Sequence, residues 1–483
     1  MAWPASTSFR SSGALADVTA TDAAVTAWIE RTAGGAVVDL RQVAGGGRSG
    51  FAVDVATGDG VRPLFLQRGG RGGVGSFMGF AREAEVYRAL EPLGIPIPHV
   101  WGVDEDLDVF LVARAEGQVW FRPPRDPEVA RAVAQDFMGH LAVWHSAPAR
   151  TLHLPSFGPV RSVREHQRDQ VAGIRALFER EDREQPIDLL ARVQLDHLVR
   201  ALPEYDGEPV LVQGDTGPGN FMYDGDRVTA IVDWELAHLG DPMDDIAWLS
   251  WRATQQGWPD FPVRLREYEA ASGIVIDPAR VRYYRLNACA RLGPRFGLAD
   301  MGEGSARPLG PAGEVDAAVD RYADGSGLVM NMLHRRMRLT AQADVMGIEL
   351  PGRAVLDEAP PPPHAAMYDA VLGQLREVVD RVDDRAVSNL AKAAARQVKY
   401  LKELDRNRTL FEERELDDLG RLLRHPPVNV AVGRVELADA ARAGKVEVDE
   451  YLLYHWARLI RDDWMMRESS GSMYERGWPE LGG

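Results

Sequence analysis

Between Val210 and Leu249 the chain reads VLVQGDTGPGNFMYDGDRVTAIVDWELAHLGDPMDDIAWL. Val210 to Val212 predicts a buried strand, and the glycine-rich loop Gly214 to Gly219 follows it. Asn220 to Tyr223 and Val228 to Val232 predict a hairpin that turns at Asp224 and Gly225. A hairpin brings its two ends together, so Asp215 and Asn220 at the entrance converge with Asp233 at the exit. Hard oxygen ligands of this kind suit magnesium, which shares its shell with phosphates and water rather than sitting in an all-protein cage. Phosphoryl transfer asks for the same parts: a carboxylate that orients or deprotonates the attacking hydroxyl, and an Asn and an Asp for ions that bridge the phosphates. Asp215 is then the base, and Asn220 and Asp233 are the metal ligands. The plain alternative, Asp and Asn as turn formers on a surface hairpin, fits each residue singly but not the set with its spacing.

Upstream, Val37 to Val43, Phe51 to Val55 and Pro63 to Arg68 are short β-type runs separated by the glycine-rich turns GGGRSG and GDG, which suggests an antiparallel meander. Phe80 to Leu90 predicts a helix, Val100 to Val103 and Val109 to Ala113 two more strands, and Pro127 to His145 a long helix. Downstream, the four prolines within Asp357 to His364 read as a stiff extended linker. Beyond it, apolar spacings of three and four predict amphipathic helices over Met367 to Val382, Leu390 to Leu404, Leu416 to Leu423, Val430 to Ala443 and Tyr451 to Met466.

The chain of 483 residues, 45% hydrophobic and 27% charged, is long enough for two or three domains. Its net charge of −16 argues against a hold on nucleic-acid backbones or anionic membranes. Cys289, the single cysteine, reads as a small buried residue in a reducing compartment. The absence of a leader pattern and of a long apolar run leads to the expectation of a cytoplasmic protein. Lysine occurs only at positions 392, 399, 402 and 445, so every other basic residue is arginine.

The motif around Asp215 resembles that of the aminoglycoside phosphotransferase and choline-kinase-like family, above all its branch related to the kinase domain attached to acyl-CoA dehydrogenases. The family's H-G-D-x-x-x-x-N loop matches Gln213, Gly214, Asp215 and Asn220, and its metal aspartate matches Asp233 in DWE. The branch's G-D-P-x-x-D-[LI]-A continuation is Gly240, Asp241, Pro242, Asp245, Ile246 and Ala247. GGRSGF at Gly46 to Phe51 resembles the turn that covers the nucleotide phosphates, REAEVYRAL at Arg82 to Leu90 its first helix, and AEG at Ala115 to Gly117 the stretch after the nucleotide hinge. The resemblance covers about residues 25 to 340 and implies an α+β, two-lobed protein-kinase-like fold. A small antiparallel β lobe precedes a larger, mainly helical lobe, and a C-terminal α-helical bundle is appended. The implied organisation is a loosely packed or disordered 1–24, a nucleotide lobe over 25–117, a catalytic lobe over 118–355, a proline-rich linker over 356–365 and a helical domain over 366–483.

The resemblance implies ATP or GTP with Mg2+ as cofactors and Gly46, Gly47, Ser49, Gln67, Arg68, Glu83, Ala113 and Ala115 as nucleotide-binding residues. Gln213 and Gly214 support the catalytic loop, Gln213 standing where the family has histidine. In the strand PLFLQR, Gln67 occupies the place of the family's phosphate-binding base, which leaves Glu83 without its expected partner. A bulge that turns Arg68 inward, or Arg71 in the next loop, is the expected substitute. On the acceptor side the candidates are Glu235, His238, Asp241, Trp248, Arg252 and Arg285. His145 and the tryptophan pair Trp248 and Trp251 read as packing residues.

From Trp251 to Asp300 eight arginines face five acids, a local excess that favours an anionic acceptor such as a hydroxyacyl thioester. The expectation is therefore a phosphotransferase acting on a hydroxyl of a small molecule. The alternatives are a pseudokinase-like binding module, favoured by Gln67 and Gln213, and an antibiotic kinase for aminoglycosides or macrolides. Metal-assisted hydrolysis lacks the histidine ligands it would need. The C-terminal helices are candidates for pairing with a second copy or with a partner enzyme.

Overall fold

The computed structural model describes residues 20–43, 48–69, 78–298, 326–353 and 355–482. Gly46, Gly47, Arg71, residues 1–19 and most of Gly69 to Gly79 lie outside them. By packing, the chain divides into two compact units, residues 1–167 with 204–281 and 479–483, and residues 168–203 with 282–478.

The first unit begins with helix α1 (Ala20–Ala33), followed by strands β1 (Ala36–Val43), β2 (Ser49–Thr57) and β3 (Gly60–Arg68), helix α2 (Phe80–Leu90), and strands β4 (Val100–Asp104) and β5 (Val109–Ala113). The five strands form one antiparallel sheet in the order β1-β2-β3-β5-β4. Alternate residues of a strand face opposite sides. Leu64 and Leu66 therefore join Val53, Val55, Val109 and Leu111 in a core closed by Val25, Trp28, Ile29 and Ala33 of α1. On the other face Phe110 meets Phe80 and Tyr87 of α2, with ring centroids 5.7 and 5.3 Å apart. Helix α1 was not expected from the sequence, although its four core residues follow a three-and-four spacing.

The chain then passes through β6 (Gln118–Val119) and α3 (Pro127–Ser146), whose N-terminus is capped by the Asp126 carboxylate on Glu128 N–H at 2.9 Å. After an excursion into the second unit it returns as β7 (Val210–Val212), the expected hairpin β8 (Phe221–Asp224) and β9 (Arg227–Ile231), β10 (His238–Gly240), α6 (Pro242–Gln256) and α7 (Phe261–Ser272). Strand β10 pairs antiparallel with β7 and β6 with β8. The glycine-rich loop, between β7 and β8, and the DWE segment, between β9 and β10, are thus bounded by paired strand ends, Val212 with His238 and Phe221 with Ile231.

The second unit is helical: most of α4 (Val163–Glu184) and α8 (Pro278–Arg291), α5 (Leu189–Arg200), α9 (Ser326–Met346), α10 (Ala365–Arg381), α11 (Arg385–Leu423), α12 (Val430–Arg442) and α13 (Val448–Ser470). Its core gathers Leu190, Leu339, Leu419, Leu437, Leu452 and Leu459. The two runs expected as separate helices over 390–404 and 416–423 are one continuous helix, α11, because nothing between them removes a backbone N–H or breaks the turn. The proline run also differs from expectation. It has neither helix nor strand and lies inside this unit, held to α11 by Ala359 N–H on Asn407 Oδ1 at 3.2 Å and by Arg406 Nε on the Ala359 carbonyl at 2.6 Å. Cys289 is fully buried, and burial pushes its thiol up to about 12, so it stays neutral and inert. No helix among the described residues is long and apolar enough to cross a membrane.

Candidate active site

The loop after β7 is held from behind. The carboxylate of Asp245, fully buried on α6, accepts hydrogen bonds from Gln213 N–H and Gly214 N–H, both at 2.9 Å, and from the Thr216 hydroxyl. His145 bridges the same carboxylate, 3.0 Å from its Nε2, and the Tyr268 hydroxyl, 2.8 Å from its Nδ1. His145 is therefore a buried, hydrogen-bonded support, and Asp245, a motif member with no role assigned from the sequence, anchors the loop. Gly214 has φ +84°, and a Cβ there would lie 2.5 Å from the Leu236 carbonyl oxygen, so only glycine fits. The Gln213 side chain donates to the Val232 carbonyl at 2.8 Å, tying the loop to the residue before Asp233.

Asp215, Asn220 and Asp233 are brought together as the hairpin argument required. Asn220 Nδ2 donates to the Asp215 carbonyl at 2.7 Å, and Val232 N–H donates to the Asn220 carbonyl at 3.0 Å. Arg252 of α6 grips the Asp215 carboxylate with two parallel bonds, Nε to Oδ1 at 2.7 Å and Nη2 to Oδ2. Burial alone would lower the Arg252 pKa, but the charge and hydrogen bonds of Asp215, with Asp233 behind it, raise it. Arg252, expected on the acceptor side, is thus a direct partner of Asp215. Asp233 has φ +65°, a left-handed backbone that costs a non-glycine residue about 1–2 kcal/mol. Its carboxyl is held well above the usual carboxylate range by burial and then by the charges of Glu235, Asp215 and Glu83, against the pull of Arg252.

Glu83 of α2 is fully buried and does have a cation, which corrects the expectation that it lacks one. Arg48, on the turn between β1 and β2, reaches it with Nη1 at 2.5 Å, reaches Glu235 Oε2 with Nε at 3.2 Å, and donates from Nη2 to the Met78 carbonyl at 2.7 Å. Burial raises the pKa of Glu83, held back by Arg48 and by Trp234 N–H; Glu235 is raised by burial, with Arg48 opposing and Glu83 adding. No bulge turns Arg68 inward. The β2–β3 register runs unbroken from Thr57 opposite Gly60 to Ser49 opposite Arg68, and β3–β5 is likewise continuous. Gln67 consequently lies on the face towards α2, its Oε1 buried without a hydrogen-bond partner, and Arg68 on the opposite face. Ser49 opens β2, Ala113 closes β5 opposite Leu64, and Ala115 is in the connection to β6.

The remaining acceptor-side candidates are mostly structural. Asp241 caps α6 on Met243 N–H at 2.9 Å and is clamped by Arg280, with Nε at 2.9 Å. Trp248 is buried, its ring 6.1 Å from that of Trp251. His238 contacts the Leu236 carbonyl through Nδ1 and Asp244 through Nε2, both at 3.0 Å. Arg285 belongs to the second unit, stacked 4.8 Å from the Trp478 ring, and burial lowers its pKa to about 9. Of the six, only Glu235 and Arg252 join the Asp215–Asp233 cluster.

Among the described residues no three His, Cys, Asp or Glu side chains form a metal cage. The donor set nevertheless fits magnesium, which takes a carboxylate or two and completes its shell elsewhere. Four carboxyl groups, of Glu83, Asp215, Asp233 and Glu235, gather here with two guanidinium groups, of Arg48 and Arg252, and a divalent cation bound among them would favour their charged forms.

A five-stranded antiparallel lobe joined to a second lobe that carries an Asp–Asn–Asp set on a glycine-rich loop and hairpin defines the class: a two-lobed, kinase-like phosphotransferase. The chain belongs to the Phosphotransferase enzyme family, whose family model matches residues 39–284, just over half of it. It is similar to acyl-CoA dehydrogenase family member 11 of Homo sapiens, 28% identical over 181 residues, and to that of Gallus gallus, 30% identical over 190. The first match covers 35% of this chain and 22% of the relative, the second 37% and 23%, so the chain spans under a quarter of the length of these relatives. Among solved structures it is similar to a putative aminoglycoside phosphotransferase from Ralstonia eutropha JMP134, with 18% identity and a TM-score of 0.48, over 67% of this chain and 97% of that one. It is also similar to macrolide 2'-phosphotransferase MphH from Brachybacterium faecium, with 20% identity and a TM-score of 0.41, over 68% and 99%.

Proposed function

We propose that this protein transfers the γ-phosphoryl group of ATP to a hydroxyl of a small metabolite, with Asp215 directing the acceptor. The hydroxyl oxygen bonds to the γ-phosphorus, the bond from phosphorus to the bridging oxygen breaks, ADP leaves, and the hydroxyl proton passes to an Asp215 carboxylate oxygen. The observation that carries this reading is the Asp215 carboxylate clamped by Arg252 at 2.7 Å beside Asn220 and Asp233. A carboxylate held by two bonds keeps its orientation as the reaction proceeds, which positioning catalysis requires. Asn220 and Asp233 would hold Mg2+, which supplies neutralisation of charge on the phosphates when bound. Asp245, through Gln213 N–H and Gly214 N–H, fixes the loop on which Asp215 stands.

For the acceptor, the acyl-CoA dehydrogenase relatives support a hydroxyacyl thioester or a similar anionic metabolite. The local arginine excess adds little, since Arg252 is paired with Asp215, Arg280 with Asp241 and Arg264 with Glu267. A second reading, a nucleotide-binding module without turnover, draws on the neutral Gln67 at the position of the family's phosphate-binding base. ATP consumption with magnesium, measured against a panel of hydroxyacyl-CoA esters, amino alcohols, aminoglycosides and macrolides beside Asp215→Asn, separates these readings. Turnover of one class that is lost in the variant supports the kinase. ATP binding with no turnover of any class favours the binding module.

A further inference from the structure

We propose that Arg48, on the turn between β1 and β2, supplies the cation that holds the α- and β-phosphates of the nucleotide, in place of a base on β3. The inference rests on the phosphotransferase reading above and assigns one part of that site. Four observations carry it.

The β3 register is continuous, so the position facing α2 is the neutral Gln67, and Arg68 is turned away. No lysine occurs before position 392, so any cation here has to be an arginine. Glu83, fully buried on α2, pairs with Arg48 at 2.5 Å, which gives Arg48 the ion-pair partner expected of a phosphate-binding base. Through Glu235 at 3.2 Å, Arg48 is also joined to the segment that carries Asp233.

The same side chain thus links the β1–β2 turn, α2 and the DWE segment, and its guanidinium lies 4.4 Å from the centre of the Phe80 ring. The contacts to Glu83, Glu235 and Met78 use three of the five N–H bonds that a guanidinium carries. Its side chain keeps 14% of its surface exposed, an opening through which a phosphate oxygen can reach it. Arginine suits the task because its planar guanidinium presents N–H donors on several edges at once, so that it can keep its carboxylate partners while it takes a phosphate. Only the fold makes the replacement visible, since Arg48 and Glu83 are 35 positions apart.

The test is calorimetric titration of Mg·ATP and, separately, of adenosine into the wild type, Arg48→Ala, Gln67→Lys and the Arg48→Ala/Gln67→Lys double variant. Loss of a charge-assisted phosphate contact is expected to weaken Mg·ATP roughly ten- to a hundredfold in Arg48→Ala, with adenosine affinity unchanged. The double variant is expected to regain most of the loss, the new ammonium reaching Glu83 and the phosphates from β3. Unchanged Mg·ATP affinity in Arg48→Ala overturns the proposal. So does an equal loss for ATP and adenosine, which would make Arg48 a brace for the lobe. Failure of Gln67→Lys to recover any binding overturns the exchange of roles. If Arg48→Ala does not fold, Arg48→Ala/Glu83→Gln, which leaves no unpaired carboxylate at Glu83, carries the same comparison. A wild type that binds neither ligand refutes the nucleotide reading itself, and it does so before any variant is made.

Discussion

Asp215 and Arg252 form the pair on which the proposed chemistry turns, and each has a separable expected phenotype. Asp215→Asn keeps the size of the side chain but removes the proton acceptor. Phosphoryl transfer is expected to fall by about 10²–10⁴, with Mg·ATP affinity unchanged by calorimetry. Arg252→Ala frees the carboxylate to rotate, and a misplaced reacting group costs on the order of 10² in rate. Steady-state kinetics should show that loss in kcat, with KM for ATP changed less than about threefold. Asp215, Asn220 and Asp233 were legible in the sequence, because a hairpin brings its ends together whatever surrounds it. The partner of Asp215 was not, because Arg252 lies 37 positions away on a different element. The same reason hid the Arg48–Glu83 pair.

At the scale of elements, the glycine-rich loop is shaped by the helix behind it. Gly217 has φ +121°, and a Cβ there would meet Leu249 Cδ1 at 2.8 Å and Arg252 Cβ at 3.3 Å. Gly217→Ala therefore strains the backbone and pushes on the Asp215 clamp, with an expected loss of about 1–3 kcal/mol in denaturant unfolding. Helix α6 holds the loop through Asp245. Asp245→Ala removes the acceptor for Gln213 N–H, Gly214 N–H and Thr216 and leaves His145 unpaired at Nε2. Leaving buried donors without their acceptor costs about 1–3 kcal/mol for each group, to be read in the same unfolding experiment. The strands, the hairpin and most helices were legible from apolar periodicity. Helix α1 escaped because its four core residues sit in an alanine-rich stretch with weak contrast between faces. Helix α11 reads from local sequence as two helices because polar residues separate its apolar runs, although the helix continues through them.

Over the whole molecule, buried charge sets a pH dependence. In the second unit Arg336 of α9 binds Asp463 of α13 through Nε at 3.0 Å and Nη2 at 2.7 Å. Burial nevertheless raises Asp463 to about 6, with Arg336 and Arg335 opposing. A carboxyl whose folded pKa lies above its unfolded value contributes stability that is present below about pH 4 and is lost as pH rises through about 6. The melting temperature of the wild type minus that of Asp463→Asn should therefore decline between those pH values, by an amount equivalent to about 3 kcal/mol. A difference that stays flat or rises would show that Asp463 is ionised throughout.

Legible from local sequence alone are the glycine-rich loop with its hairpin, the antiparallel lobe and the helical character of the C-terminal part. Those follow from spacings within one element or one hairpin, which the chain carries locally. Tertiary structure alone decided which cation meets Glu83, that Arg252 serves Asp215 rather than an acceptor, and that the proline run lies inside a unit instead of between two. Each of these depends on residues brought together from elements distant in sequence, where burial and charge pairing, not local periodicity, set the outcome.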